Sequence, residues 1–261
     1  MWVGSLSDKG LAPATVSKIY QLFAASIEGA VIDRYLGVAP CRAFDLPKIT
    51  KHTMRFLTPD ELHRLAEKMD ERCRAIVLLA WYGGLRIGEL SGLHVDEVDT
   101  ERNQVRMERT TSWVKGHLHL NQPTTAAGRQ SVGLPRFVMD SLSDHLNNHA
   151  DAKIVFPSPA GGYLDPNRFR QRQFNPAIKA AGLAGVRIHD LRHTAVSLWI
   201  ANGADVKRVA ARAGQSSVAF TLHRYGHLYP DAKDDLMGAL DAVGRAANGT
   251  SNVVSIHSTG A

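Results

Sequence analysis

The sequence predicts an α+β protein that is mainly α-helical and carries one small antiparallel sheet. Apolar residues recur every three or four positions over most of the chain, which is the spacing of amphipathic helices. Between Glu97 and Leu134 apolar and polar residues alternate instead, as in VRMERT and HLHL, with the polar stretch NQPTTAAGRQ before SVGL. Alternation over such short runs indicates half-buried antiparallel strands.

The first predicted helix spans residues 13–36. Its apolar stripe consists of Val16, Ile19, Tyr20, Phe23, Ile27 and Val31. A single helix cannot bury its own stripe, and the dozen residues before it do not obviously supply a partner helix. The following stretch, VAPCRAFDLPKITKHTMRF, has two prolines and several basic residues but no hydrophobic period, which is typical of a linker between domains.

A second domain is predicted to begin at the tetrapeptide TPDE, residues 58–61. It places a hydroxyl at the cap, a proline at the first helical position and a glutamate at the third, which is the pattern of a capping box. The run CRAIVLLAWYGGL is apolar on nearly every side, so it predicts a fully buried helix that ends at the Gly-Gly pair. Arg86 follows directly after that helix.

Helical periodicity returns in the second half of the chain. The predicted helices cover residues 136–148, 166–180, 189–202, 205–213, 216–225 and 231–245. The tail from Asn248 onward is rich in Ser, Thr, Gly and Asn, and we expect it to be disordered.

Composition favours an anionic partner. The formal net charge is +6 and the isoelectric point is about 9.4, and nucleic acid is the commonest polyanion that basic proteins bind. The two cysteines, Cys41 and Cys73, lie far apart and outside any CxxC spacing, so they are predicted to be reduced packing residues. Neither a leader peptide nor an apolar run long enough for a membrane helix is apparent, so we expect a cytoplasmic protein.

Three motifs suggest a site for a phosphodiester. In HDLRH, His189 and Arg192 are three residues apart, which on a helix puts the imidazole and the guanidinium on one face. In GLRIGEL, Arg86 supplies a second guanidinium. In RYGHLYP, Tyr225 precedes Gly226, so its phenol lies near a predicted helix end, where the backbone can direct it toward the phosphate.

In this order and at this separation, the motifs GLRIGEL, HDLRH and RYGHLYP resemble those of the tyrosine recombinase (phage integrase) family. The resemblance implies the catalytic fold of that family over residues 51–246, preceded by a partial helical core-binding segment within residues 1–50 and followed by a tail at 247–261. The first half of the core-binding domain, and any arm-binding domain, are expected to be missing. The resemblance also implies double-stranded DNA as substrate and a tetramer on paired sites.

The implied chemistry explains why these residue types belong together. Tyr225 aligns with the nucleophile, and its attack yields a 3′-phosphotyrosyl intermediate without a metal or other cofactor. Two arginines, Arg86 and Arg192, can neutralise charge on the phosphate oxygens through bidentate hydrogen bonds. A free tyrosine has a pKa near 10, so it needs a base or a positive field, which His189 and the arginines can provide.

Two positions depart from the family pattern. Thr124 stands where the family has a lysine that protonates the departing 5′-oxygen, and Gln215, in AGQSS, stands where it usually has a histidine. A threonine hydroxyl is a poor acid, and glutamine can donate a hydrogen bond but cannot carry a proton. Lys115 and Arg129 are the alternative cations for the phosphate, although arginine holds its proton too tightly to act as an acid.

Several alternatives stay open at this stage. Arg86 taken alone is an ordinary surface arginine paired with Glu89, His193 either serves the site or packs beneath it, and Tyr229 is a second phenol near the site. For function, we expect site-specific DNA recombination or integration by a prophage or mobile-element integrase, and the alternative is an attenuated or inactive remnant that only binds DNA. A metal-dependent phosphohydrolase is a weaker alternative, because further His and Asp ligands are not apparent.

Overall fold

The protein divides into two compact units, residues 1–53 and 54–261, in a computed structural model. The structure describes residues 2–41, 45–49, 54–122, 130–149, 153–215, 217–229 and 232–249.

The first unit is built on two helices, α1 (Trp2–Asp8) and α2 (Pro13–Ile32). Val3 of α1 and Val16 of α2 are buried, and the rings of Trp2 and Phe23 lie 4.9 Å apart. Helix α1 was not predicted from the sequence, and it does contact α2. It covers little of the predicted apolar stripe, since Val16 is buried but Phe23 remains 43% exposed. Helix α2 ends earlier than predicted, because Arg34 adopts a left-handed φ of 64°.

The second unit begins with α3 (Pro59–Lys68) and α4 (Glu71–Tyr82). The predicted capping box is confirmed: the Glu61 amide donates to Thr58 Oγ1 at 3.2 Å, and the Thr58 amide donates to Glu61 Oε2 at 3.0 Å. Helix α4 is buried from Ala75 to Trp81 and packs against α3, α6 (Arg136–Asn147) and α9 (Ile188–Ala201), which explains its lack of a polar face. It ends at Gly83, as predicted.

Short α5 (Ile87–Gly92) leads into strands that form two antiparallel sheets instead of one. The bounds are β1 (Val98–Asp99), β2 (Gln104–Arg106), β3 (Thr110–Val114), β4 (His117–Asn121) and β5 (Ser131–Gly133). Strands β1, β2 and β5 form one sheet, in which Val105 pairs with Val132 and both side chains are buried. Strands β3 and β4 form a separate hairpin, in which β3 packs on α5 and most residues of β4 are exposed.

The remaining helices follow the predicted order. They are α7 (Pro166–Phe169), α8 (Asn175–Ala180), α10 (Val206–Arg212), α11 (Val218–Tyr225) and α12 (Ala232–Gly249), in addition to α6 and α9. The helix predicted over 166–180 is interrupted by a π-helical turn at Arg170–Phe174. The predicted disordered tail overlaps the last turn of α12, and residues 250–261 lie outside the described part of the chain. Among the described helices, none is both long and apolar enough to cross a membrane.

Candidate active site

Arg192 connects the elements that surround the site. Its side chain on α9 is only 4% exposed. Nη1 donates to the carbonyl of Gly84 at 2.5 Å, and Nη2 donates to the carbonyl of Ala213, just after α10. Burial, and then the charge of neighbouring Arg86, lower the pKa of Arg192 to about 10. The guanidinium therefore stays positive at neutral pH, and its remaining N–H groups are available to a ligand.

Arg86 lies at the N-cap of α5, directly after the turn that contains Gly84. Its amide donates to Glu89 Oε2 at 2.7 Å, and its Nη1 donates to Glu89 Oε1 at 2.7 Å. The Glu89 ion pair of the alternative interpretation thus exists, but 43% of the Arg86 side chain remains exposed. The carboxylate orients the guanidinium without enclosing it.

His189 and Arg192 line the same cavity as Arg86, in agreement with the predicted common face. This cavity has a volume of about 510 Å³. Burial, followed by the charges of Arg192, Arg224 and Arg86, lowers the pKa of His189. The imidazole is therefore neutral at pH 7 and has a lone pair that can accept a proton.

Tyr225 is the last residue of α11, and only 2% of it is exposed. Its hydroxyl oxygen lies 2.6 Å from Nδ1 of His193. Burial raises the pKa of the phenol, whereas Arg192, Arg224 and Arg86 act in the opposite direction. The net shift is upward, so the phenol is protonated in the free protein. The site thus combines a buried phenol with several fixed positive charges.

Gln215 follows Gly214, which has a φ of 54°, after the end of α10. The Thr221 hydroxyl, fully buried on α11, donates to Gln215 Oε1 at 2.5 Å. This hydrogen bond holds the carbonyl side of the amide against Thr221. The NH₂ group of Gln215 is then the group that can donate a hydrogen bond to a ligand.

The family of the chain follows from comparison with known proteins. A family model described as the phage integrase family matches residues 55–231. The chain belongs to the phage integrase family. It is 30% identical over 224 residues to the prophage phiRv2 integrase of Mycobacterium tuberculosis, with 82% of this chain and 58% of that protein covered. The chain thus spans a little over half of that relative's length. It is also 25% identical to the ICEBs1 integrase of Bacillus subtilis, over 90% of this chain and 67% of that one.

Solved integrase structures share the fold. The Tn1549 transposon integrase in complex with a circular intermediate DNA has a TM-score of 0.80 at 18% identity, covering 92% of this chain and 83% of that one. A lambda integrase tetramer bound to a Holliday junction has a TM-score of 0.60 at 16% identity, covering 88% of this chain and 62% of the other. These likenesses confirm the predicted tyrosine-recombinase catalytic fold.

The structure brings only some of the predicted site residues together. Arg86, His189, Arg192 and Tyr225 converge, whereas Thr124 and Arg129 lie in 123–129, outside the described residues. Lys115 is exposed at the tip of the β3–β4 hairpin with a φ of 50°. No hydrogen bond or ion pair within the described part of the chain joins Lys115 to the converging residues.

Tyr229, the second phenol, belongs to a packing cluster. It packs against buried apolar side chains around Val196, Ile200 and Val209, and its hydroxyl is buried without a partner among the residues described. Burial raises the pKa of Tyr229. The alternative that Tyr229 serves the site therefore has no contact in its favour.

Three arginines near the site were not predicted from the sequence. Arg224 Nη2 lies 3.2 Å from Nε2 of His193, Arg187 caps α9 and pairs with fully buried Asp190 at 2.8 Å, and Arg170 of the π-helical turn lines the cavity. The position of Arg224 immediately before Tyr225 was the available signal for the first. For the second, the signal was the interval of three between Arg187 and Asp190. In the described residues, no group of three or more His, Cys, Asp or Glu is arranged to hold a metal ion.

Proposed function

We propose that this integrase cleaves and rejoins double-stranded DNA at specific sites, with Tyr225 as the nucleophile. The observation that carries the proposal is the buried Tyr225 phenol, whose pKa is influenced by three arginines that include both motif arginines, Arg86 and Arg192. The relatives include a prophage integrase and the ICEBs1 integrase, and a structure of the Tn1549 transposon integrase contains a circular intermediate DNA. These similarities support a mobile-element integrase.

In the proposed reaction, Arg86 and Arg192 bind the non-bridging oxygens of the scissile phosphate. The Tyr225 oxygen attacks phosphorus, the bond to the 5′-oxygen breaks, and a 3′-phosphotyrosyl bond forms. The phenol loses its proton and the departing 5′-oxygen gains one. Attack by a 5′-hydroxyl from another strand reverses these steps and restores the phenol. Fixed guanidinium groups favour this path because they bind charge as it redistributes in the transition state.

Neutral His189 is the proposed acceptor of the phenol proton. It lines the cavity together with both motif arginines, and its lowered pKa leaves it unprotonated at neutral pH. The proposed proton donor to the 5′-oxygen is weak, because Thr124 stands where the family resemblance led us to expect a lysine. We therefore propose a slow enzyme whose rate is limited by protonation of the leaving oxygen.

Assembly on DNA is also part of the proposal. A lambda integrase structure is a tetramer on a Holliday junction, and the shared fold supports a tetramer on paired sites here. The net charge of +6 supports a DNA affinity that falls steeply with salt, because lysine and arginine contacts release counterions from the phosphates.

Covalent trapping tests the proposal. The protein is incubated with a labelled pool of random-sequence duplexes, each nicked near its centre so that the cleaved strand diffuses away. We expect an SDS-resistant protein–DNA adduct that persists in chelator, disappears in Tyr225→Phe and is retained in Tyr229→Phe, the matched control. DNA binding without any adduct would indicate the alternative, an integrase remnant that only binds DNA.

A further inference from the structure

Both ring nitrogens of His193 are occupied. Nδ1 lies 2.6 Å from the Tyr225 hydroxyl oxygen, and Nε2 lies 3.2 Å from Nη2 of Arg224. The imidazole is 2% exposed, so water has little access to either nitrogen. His193 therefore lies between the phenol and a guanidinium.

The Arg224 contact determines where the imidazole carries its proton. A guanidinium has donors only, so Nε2 of His193 must be the acceptor. A neutral imidazole that accepts at Nε2 carries its hydrogen on Nδ1. The Nδ1–H group consequently donates to the Tyr225 oxygen, and the phenol must direct its own proton elsewhere. His193 cannot take that proton, since its single lone pair already accepts from Arg224.

We propose that His193, held in its Nδ1–H form by Arg224, donates a hydrogen bond to the Tyr225 oxygen that aligns the nucleophile and stabilises the phenolate as it forms. This inference rests on the proposed function, in which Tyr225 attacks the phosphate. His193 is then a catalytic residue, because it touches the reacting oxygen. Arg224 positions His193 through Nε2, and its side chain also acts directly on the Tyr225 phenol by a hydrogen bond and by its charge. The phenol proton leaves to another acceptor, for which His189 is available.

The surroundings keep His193 neutral, as this role requires. Burial lowers its pKa to about 4, and His189, Arg224 and Arg187 contribute in the same direction. Asp190 opposes them, but its carboxylate is engaged by Arg187 through hydrogen bonds of 2.8 Å and 3.2 Å. The charged groups that act on the Tyr225 phenol itself are Arg192, Arg224 and Arg86.

The tautomer can be measured without DNA. In ¹⁵N-histidine-labelled protein, the ring-nitrogen shifts of His193, assigned by loss of its signals in His193→Asn, should report a neutral ring with hydrogen on Nδ1 at pH 7. In Arg224→Met this preference should weaken, because the donor to Nε2 is gone. A ring with hydrogen on Nε2 in the unmodified protein would overturn the inference.

Cleavage kinetics separate a catalytic role from a packing role. His193→Leu removes the donor, whereas His193→Asn keeps an amide N–H near the position of Nδ1. Loss of one donor to a developing anion typically lowers the rate about 10²-fold to 10³-fold, so we expect His193→Leu to lower single-turnover cleavage by about that much. It should also move the rising limb of the pH–rate profile to higher pH, since the phenolate loses stabilisation. His193→Asn should recover most of the rate, and DNA affinity should be unchanged in both variants.

The two proposals fail separately. Absence of any adduct from the unmodified protein contradicts the proposed function. An adduct whose rate and pH profile are the same in His193→Leu, or fall equally in His193→Leu and His193→Asn, contradicts the role of His193 alone. If His193→Leu does not fold, the ¹⁵N measurement of the tautomer and the pH–rate profile of His193→Asn still test the role of His193.

Discussion

Nη1 of Arg192 donates a 2.5 Å hydrogen bond to the carbonyl oxygen of Gly84, 108 residues earlier in the chain. This contact joins α9 to the turn that presents Arg86. The same guanidinium also donates to Ala213, next to the turn that carries Gln215. Arg192 therefore has a structural role in addition to its proposed contact with phosphate.

Lysine substitutions at the two arginines should separate these roles. Arg192→Lys keeps the charge but replaces the planar fork that spans the two buried carbonyls with a single nitrogen, so we expect a loss of about 1–3 kcal/mol in the free energy of unfolding. Arg86→Lys, whose side chain is largely exposed, should cost less than about 1 kcal/mol. Both variants should cleave DNA much more slowly, because lysine cannot bind phosphate bidentately. Urea denaturation and adduct formation measure the two effects, and equal losses of stability would contradict the structural role of Arg192.

Gly84→Ala tests how tightly the turn packs. Its φ is 64°, and an added Cβ would lie 2.5 Å from Cη2 of Trp199 on α9. Gly116, at the hairpin tip, has a φ of 82° with nothing within 4 Å of a built Cβ, so Gly116→Ala carries the backbone strain without the clash. We expect Gly84→Ala to be less stable than Gly116→Ala by at least about 2 kcal/mol. Thermal or urea unfolding measures the difference. Similar losses of stability in both variants would show that the Trp199 side chain moves to accommodate the added methyl group.

Acid should destabilise the fold through His193. Its folded pKa is about 4, below the unfolded value of 6.5, so between these values the unfolded chain binds more protons. The neutral imidazole thus contributes stability that is present above pH 6.5 and is lost as pH falls toward 4. The full contribution is on the order of 3 kcal/mol.

The measurement is urea denaturation between pH 4 and pH 7. His193→Asn has no proton to gain, so its free energy of unfolding should fall less over this range than that of the unmodified protein. Identical pH dependence in the two proteins would mean that His193 is not held neutral.

A lysine introduced at position 124, where the family resemblance led us to expect one, should accelerate cleavage. Thr124→Lys supplies an acid for the 5′-oxygen, and general acid catalysis is typically worth about 10²-fold to 10⁴-fold. A DNA substrate with a better leaving group at the 5′-oxygen removes the need for the acid. It should therefore increase the cleavage rate of the unmodified protein by a larger factor than that of the Thr124→Lys variant. Lys115→Ala is the control, because Lys115 lies at an exposed hairpin tip. Fast strand transfer by the unmodified protein, unaltered in Lys115→Ala, would show that Thr124 is no handicap.

Gln215→His should add to that gain. Because both side chains act on one phosphate, the combined effect of Thr124→Lys and Gln215→His need not be the product of the single effects. Single-turnover rates of the two single variants and the double variant complete the cycle. A slower Gln215→His protein would indicate that the amide donor, oriented by Thr221, is better suited to this site.

Local interactions account for what the sequence predicted well. The capping box at residues 58–61 and the end of α4 at Gly83 depend on hydrogen bonds that span three or four residues. The pairing of Arg86 with Glu89 is of the same kind. The apolar run in α4 also predicted its burial correctly, because a helix without a polar face is stable only when it is enclosed.

Where periodicity was weak or short, the sequence was less informative. The two turns of α1 have too few residues to show a hydrophobic period. The π-helical turn within residues 166–180 changes the backbone but leaves the spacing of the apolar residues close to that of an α-helix. Alternation predicted strands, but it did not predict which strands pair. Among the described residues they form two sheets, because Val105 pairs with Val132 in the core and β3 pairs with β4.

By itself, the sequence determined the types and order of the proposed site residues: Arg86, then His189 and Arg192, then Tyr225. Only the tertiary structure decided their hydrogen-bond partners. It placed Arg192 against the Gly84 carbonyl and enclosed the Tyr225 phenol beside His193, which is itself held by Arg224. These contacts join residues 108, 32 and 31 positions apart, and they form because the packing of α4, α9 and α11 brings buried donors and acceptors together. Helical periodicity reports which face of each helix is buried, but not which polar group it meets there.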